Sequence, residues 1–176
     1  MGRSHWVSDF ERDIQQNTPI GGRSTLFRVA RCPGLWALLQ YRIAHQYRRY
    51  TLLRPGLGVW RLLVEMATGF SIPSEATIGP GLHISHPAGI VISPRAVIGA
   101  DCHITHGVTI GVSGYGPNRG VPTIGDRVYI GPHAVVVGPI VVGDDAMIGA
   151  NCVVSADVPA RARVRPAPVS VFKDET

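Results

Sequence analysis

The sequence predicts a mainly β fold, a parallel β-helix built from six-residue segments, entered through a short N-terminal α-helical cap. Three observations carry that prediction. An aliphatic residue returns every sixth position: Ile72, Ile78, Ile84; then Ile92, Ile98, Ile104, Ile110; then Ile124, Ile130, Val136, Val142, Ile148, Val154. The fourth residue after each aliphatic is small or apolar, as at Ala76, Leu82, Ala96, Cys102, Ala134, Ala146 and Cys152. A Gly often follows the aliphatic directly, as in Ile78-Gly79, Ile98-Gly99, Ile124-Gly125 and Ile148-Gly149. A period of six is neither helical nor that of a single strand, so each hexad is a short strand plus a tight turn. Three hexads then close one triangular coil, and stacked coils bury the aliphatics along the prism axis.

Residues 1–70 read as the helical segment. Ser8-Asp9-Phe10-Glu11 has the form of a capping box opening a first helix. Gly21-Gly22 marks a loop. Pro33-Gly34 precedes a helix to about Tyr50, with Leu35, Leu38, Leu39 and Ile43 at helical spacing. Pro55 and Gly56 break it, and a third helix runs from about Leu57 to Thr68. A solenoid needs such a cap, because an open end exposes both core and strand edges.

Residues 71–158 read as the coil domain, and 159–176 as a C-terminal tail. The period breaks twice. Two extra residues stand between Ile84 and Ile92, and eight between Ile110 and Ile124. The second insertion, within 111–123, is rich in Gly and polar residues, so it is expected to protrude as a loop.

The net charge of +5 is uneven: residues 1–70 hold ten Arg against four acidic residues, whereas 72–154 hold three against five. A basic N-terminal segment suits an anionic membrane face, an acidic substrate or solvent alone, so a peripheral membrane contact is one expectation. No nucleic-acid-binding motif is present, and no nucleic-acid partner is expected. No apolar run is long enough for a membrane span, and Asp9, Glu11, Arg12 and Asp13 interrupt any signal-peptide pattern, which makes the cytoplasm the expected location. Cys32, Cys102 and Cys152 fit no metal motif, and the last two fall at small-residue hexad positions as packing groups.

Several stretches resemble the serine acetyltransferase family. Pro33-Gly34-Leu35-Trp36-Ala37-Leu38 with Tyr41-Arg42-Ile43-Ala44-His45 is similar to its last helices. Ser85-His86-Pro87-Ala88-Gly89-Ile90-Val91 resembles its catalytic segment, and Gly107-Val108-Thr109-Ile110-Gly111 the stretch before its coenzyme loop. Ile148 to Val154 with Asp157-Val158-Pro159 resembles its final coil. The likeness runs from about residue 9 to 168. It implies a left-handed coil, acetyl-CoA as co-substrate without a metal, and sites at subunit boundaries of a homotrimer. The earlier helices that join trimers of the longer family enzymes into hexamers have no counterpart here, so a plain trimer is expected.

The resemblance also assigns residues. His86 stands where the family has its general base, and an imidazole is matched to neutral pH. His106, the second candidate catalytic residue, lies one coil further along once the two-residue insertion is subtracted, so the two rings are expected to stack across adjacent strands. His83 and His103 form a second such pair, and these two and His133 are read as packing residues. Gly111, Ser113, Pro132 and Ala150 match the coenzyme-binding positions, on a corner line shared with His86 and His106. Asn17, Ser85 and Arg119 are the candidate acceptor-binding residues. The family's serine-binding Asp, Arg and His are replaced by Asn17, Gly120 and Val121, and the Asp that orients the base by Ser71, with Glu75 as a possible replacement carboxylate. A zwitterion without charged partners is costly to bury. The expected acceptor is therefore a saccharide hydroxyl, as in the polysaccharide-modifying (colanic-acid-type) branch, with serine as the alternative. A zinc lyase of the γ-carbonic-anhydrase type, using the four histidines, and a catalytically silent trimeric scaffold are the remaining readings.

Overall fold

The computed structural model describes residues 5–17, 29–113 and 119–167. The expected loop tip at 114–118, the Gly21-Gly22 loop and the end of the tail lie outside them. The elements follow in the order α1 (His5–Asn17), α2 (Pro33–Tyr47), a 3₁₀ turn (Thr51–Leu53), α3 (Arg54–Thr68), and then β1 to β13.

Every strand has two or three residues, because each hexad turns before a longer one can form. The strands are Thr77–Ile78, His83–Ser85, Val91–Ile92, Val97–Ile98, His103–Thr105, Thr109–Gly111, Thr123–Ile124, Tyr129–Ile130, Val135–Val137, Val141–Val142, Met147–Ile148, Val153–Val154 and Arg163–Val164. They assemble into three sheets, in the orders β1-β4-β7-β10, β13-β11-β8-β5-β2 and β12-β9-β6-β3, and all the pairings are parallel. The register stacks the hexad aliphatics in columns: Ile78 on Ile98 on Ile124 on Val142, and Ile84 on Ile104 on Ile130 on Ile148. Those residues are at most 6% exposed, which makes them the core of the prism. Parallel pairing continues past residue 158, because Arg163–Val164 adds a rung beneath Met147–Ile148.

The described chain is less dominated by strand than the hexads suggest. Three helices of 13, 15 and 15 residues hold more residues than thirteen strands of two or three. Ser8 does not cap a helix: α1 begins at His5, and the Ser8 hydroxyl donates back to the His5 carbonyl at 2.7 Å. A serine inside a helix commonly satisfies itself this way. Pro55 does not separate two helices by breaking the first; it sits in the opening turn of α3, where its missing N–H costs nothing.

The cap is held to the prism through the backbone of the first coil. That coil has no preceding rung, so its outward N–H and C=O groups need other partners. Side chains of α1 and α2 supply them. Tyr41 Oη donates to the Ala76 carbonyl at 2.9 Å and accepts from Ile78 N at 3.0 Å. Arg42 donates to the carbonyls of Ile78 and Gly79, both at 2.6 Å. Asp13 Oδ1 accepts from Gly81 N and Leu82 N at 2.8 and 2.9 Å. Asn17 Oδ1 accepts from Ile84 N at 2.9 Å, and its Nδ2 donates to the Leu82 carbonyl at 2.7 Å. Arg42 and Asp13 bridge each other at 2.9 and 3.0 Å, and both are buried. Apolar contact completes the seal: Ile14, Leu35, Leu38 and Phe70 join the prism core, and Gly34 lies so near Ile84 that a Cβ there would come within 3.0 Å of its Cβ.

One face of the β2 sheet carries an aromatic ladder. The rings of His83 and His103 lie 4.2 Å apart, and His103 meets Tyr129 at 5.0 Å. Burial pushes the His103 imidazole down to about 4, and the neighbouring His83 adds to the effect. Below the ordinary histidine value the unfolded chain takes up a proton that the folded chain refuses. This contribution to stability is therefore intact above about pH 6.5 and lost as pH falls toward 4.

Two outcomes follow. Arg42→Met leaves the Asp13 carboxylate buried without its partner and should cost about 3–5 kcal/mol of stability, measured by urea denaturation. The urea midpoint of the wild-type protein should drop between pH 7.5 and pH 5, and His103→Gln should flatten that drop.

Candidate active site

His86 follows directly from β2, at the turn made by the two-residue insertion. It is exposed and holds a left-handed backbone at φ 65°, as do Ala88 at 97° and Gly89 at 76° in the same turn. Its ring meets that of His106 edge-on at 5.8 Å, as the insertion count predicts. The column does not stop there. His106 meets His133 edge-on at 5.0 Å, which adds a third imidazole that sequence reasoning left among the packing residues. Spacing hid it: His133 is three positions after Ile130, whereas His86 and His106 are two after their aliphatics. A left-handed backbone at His133, φ 55°, accompanies that placement. Gly107 accommodates the column, since its own φ is +71° and a Cβ there would overlap the His133 ring.

Nδ1 of His106 is buried and has no hydrogen-bond partner among the described residues. An orphaned ring nitrogen costs about 1–3 kcal/mol unless something supplies a partner. The edge that carries His86 therefore has an unmet polar group beside the candidate base.

The candidate coenzyme positions do not share one corner. Pro132 and Ala150 lie at the turns after β8 and β11, on the corner line of His86 and His106. Gly111 ends β6 and pairs with Val137 of β9, in a different sheet from β8 and β11, and Ser113 forms an antiparallel bridge to Gly120. These two stand at the next corner of the triangle, because the chain has turned once more between β5 and β6. The structure thus corrects the single-line expectation. Within one chain it places the two pairs on separate edges.

The candidate acceptor residues are already engaged. Asn17 spends its side-chain amide on the prism edge and on the Asp13 carbonyl at 2.8 Å. Ser85 Oγ is 2.6 Å from Nε2 of His103, tying it to the aromatic ladder. Arg119 is exposed beside the undescribed 114–118 segment. Ser71, where the resemblance expects an orienting Asp, donates its hydroxyl to Glu65 Oε1 of α3 at 3.0 Å. Glu65 also accepts from Arg61 at 2.9 Å. A carboxylate is therefore present at this place one hydrogen bond removed. Sequence reasoning missed it because Glu65 belongs to the preceding helix. Glu75 instead lines a cleft between α2 and α3.

Cys102 is inert packing. Its thiol donates to the Gly125 carbonyl at 3.1 Å, and burial pushes it up to about 11. Among the described residues no three His, Cys, Asp or Glu side chains converge as a metal-binding group.

Residues 122–156 match the bacterial transferase hexapeptide (six repeats) family. The serine acetyltransferase of Helicobacter pylori is 45% identical over 129 residues, covering 72% of this chain and 74% of that protein. Among solved structures, serine acetyltransferase isoform 3 from Entamoeba histolytica, in complex with cysteine, superposes with a TM-score of 0.79 at 28% identity. That match covers 96% of this chain, which spans 61% of the Entamoeba chain. The Neisseria gonorrhoeae serine acetyltransferase in complex with serine gives 0.78 at 31% identity, covering 94% of this chain and 68% of that one. Three parallel sheets together with these neighbours fit a left-handed hexapeptide β-helix behind N-terminal helices. The polysaccharide-modifying branch expected from the substituted serine-binding positions finds no support in these relatives. The chain belongs to the serine acetyltransferase family of hexapeptide-repeat acyltransferases.

Proposed function

We propose that this protein transfers an acetyl group from acetyl-CoA to the hydroxyl of serine, with His86 as general base. The observation that carries the reading is the exposed imidazole at the head of the His86–His106–His133 column, in a chain 45% identical to a serine acetyltransferase. In the reaction, His86 takes the hydroxyl proton as the serine oxygen attacks the thioester carbonyl. The tetrahedral adduct then expels the coenzyme thiolate, which recovers the proton from the imidazolium. His106 supports the base through the edge-on contact. Arg119, at the foot of the loop, is the cation available to the serine carboxylate, since Gly120 and Val121 carry no charge.

Gly111, Ser113, Pro132 and Ala150 are the proposed coenzyme-binding positions. A small residue at a corner allows close approach to the backbone. Pro132 has no N–H, and its carbonyl already accepts from Asn151 N at 2.9 Å, so its contribution is ring surface and a remaining lone pair. Because the two pairs occupy different edges of one prism, a groove that uses all four draws one edge from each of two protomers. That requirement supports a homotrimer with three equal sites. The exposed Val91, Val97, Val141 and Val153 on the prism faces supply apolar surface for it. We take residues 1–70 as the cap of this unit and the coils from residue 71 as its catalytic body. The described helices include none long and apolar enough to cross a membrane.

The test is release of free thiol from acetyl-CoA. Saturable turnover with L-serine and none with sugar acceptors is expected. Turnover with a sugar and none with serine would restore the saccharide reading. His86→Ala should lower kcat by about 10²–10⁴-fold with the trimer intact, and wild-type turnover in that variant would sink the mechanism.

A further inference from the structure

A cleft of about 550 Å³ opens between α2 and α3, away from the imidazole column in the chain's topology, and nothing in the acetyl-transfer reading uses it. One wall is the face of α2 that carries Gln40, Ala44 and Arg48, at helical i, i+4, i+8 spacing, continued by Arg49. The opposite wall is the face of α3 that carries Arg54, Leu57, Gly58 and Arg61. Ser74 and Glu75 of the first coil also line it.

The charge is lopsided. Among the described residues, Arg48, Arg49, Arg54 and Arg61 line the cleft against Glu75, and Arg61 is also paired with Glu65. Their existing bonds leave most donors free, since each guanidinium carries five N–H groups. Arg54 Nε donates to the Arg48 carbonyl at 3.1 Å, Arg48 Nη1 to the Ser74 carbonyl at 3.4 Å, and Arg61 Nε to Glu65 at 2.9 Å. With Arg61 paired to Glu65, the other three guanidinium groups have no carboxylate bond among the described residues and repel each other unless an anion joins them.

A second observation points the same way. Gln40 is 3% exposed, and its side-chain Nε2 has no hydrogen-bond partner among the described residues. An amide donor buried without an acceptor costs free energy. It lines the cleft that the arginines surround, so an acceptor-only, doubly charged group would satisfy it and them together.

We propose that this cleft binds a phosphoryl group, carried by a phosphate or phosphomonoester in which Gln40 Nε2 and the guanidinium groups of Arg49 and Arg54 contact the oxygens. The shared chemistry has two sources, a soluble phosphate ester or the headgroup of an anionic lipid. The lipid source is in play because α3 exposes Val59, Leu62, Leu63 and Met66, with Leu52 before it.

Inorganic phosphate is titrated into the full-length protein by calorimetry, with chloride held constant. Saturable binding is expected, weakened about tenfold or more in Arg49→Ala and in Gln40→Leu, while acetyl transfer stays at the wild-type rate. Arg49 is exposed, so its variant remains informative even if Gln40→Leu unfolds. Flotation with phosphatidic acid vesicles, against phosphatidylcholine alone, separates the sources. Flotation that is lost in Arg49→Ala and competed by phosphate assigns a lipid headgroup. Phosphate binding without flotation assigns a soluble ester. Absence of saturable phosphate binding, or binding that both variants retain unchanged, overturns the proposal.

Discussion

The first coil of a parallel solenoid has a row of backbone groups with no rung to bond to, and the rest of this structure depends on how that row is closed. Tyr41, Arg42, Asp13 and Asn17 stand in for the missing rung, each bonding backbone atoms between Ala76 and Ile84. The cost of burying Arg42 and Asp13 is offset because each satisfies the other and the strand edge at once. Helix α1 and helix α2 are thereby fixed to the coil that leads into His86. The turn at His86 begins two residues past the last capped amide, that of Ile84.

The proposed chemistry uses the regularity of the coil and its two interruptions differently. Regular rungs deliver columns, so histidines placed once per coil become neighbours. The short insertion turns the chain at His86 and leaves the imidazole exposed. Arg119, exposed, directly follows the undescribed part of the long one. With its proposed coenzyme positions on two different edges, the proposed site would be a property of a seam between protomers, not of a single prism.

Much of the fold was legible because period six has one structural solution, and the expected aliphatics, from Ile72 to Val154, are buried. The His86–His106 contact was legible for the same reason, once the insertion was subtracted. What stayed hidden involves side chains that reach far along the chain. Nothing near Asp13 or Asn17 marks them as partners for amides 69 and 67 residues away, and the resemblance offers Asn17 instead as an acceptor ligand. Glu65 escaped notice because it approaches Ser71 from a helix. His133 escaped because a turn conformation, not a count, brings its ring into line. The saccharide expectation rested on three substituted positions, and the likeness to serine acetyltransferases gives it no support.

The imidazole column has an evolutionary reading. Neighbouring rungs stand roughly 4.8 Å apart. Drift of a bound thioester by a single step along the edge would bring it from one histidine to the next without any new residue being invented. A scaffold that repeats its functional groups carries spares, and a lineage built on it can relocate its chemistry before it has to replace it.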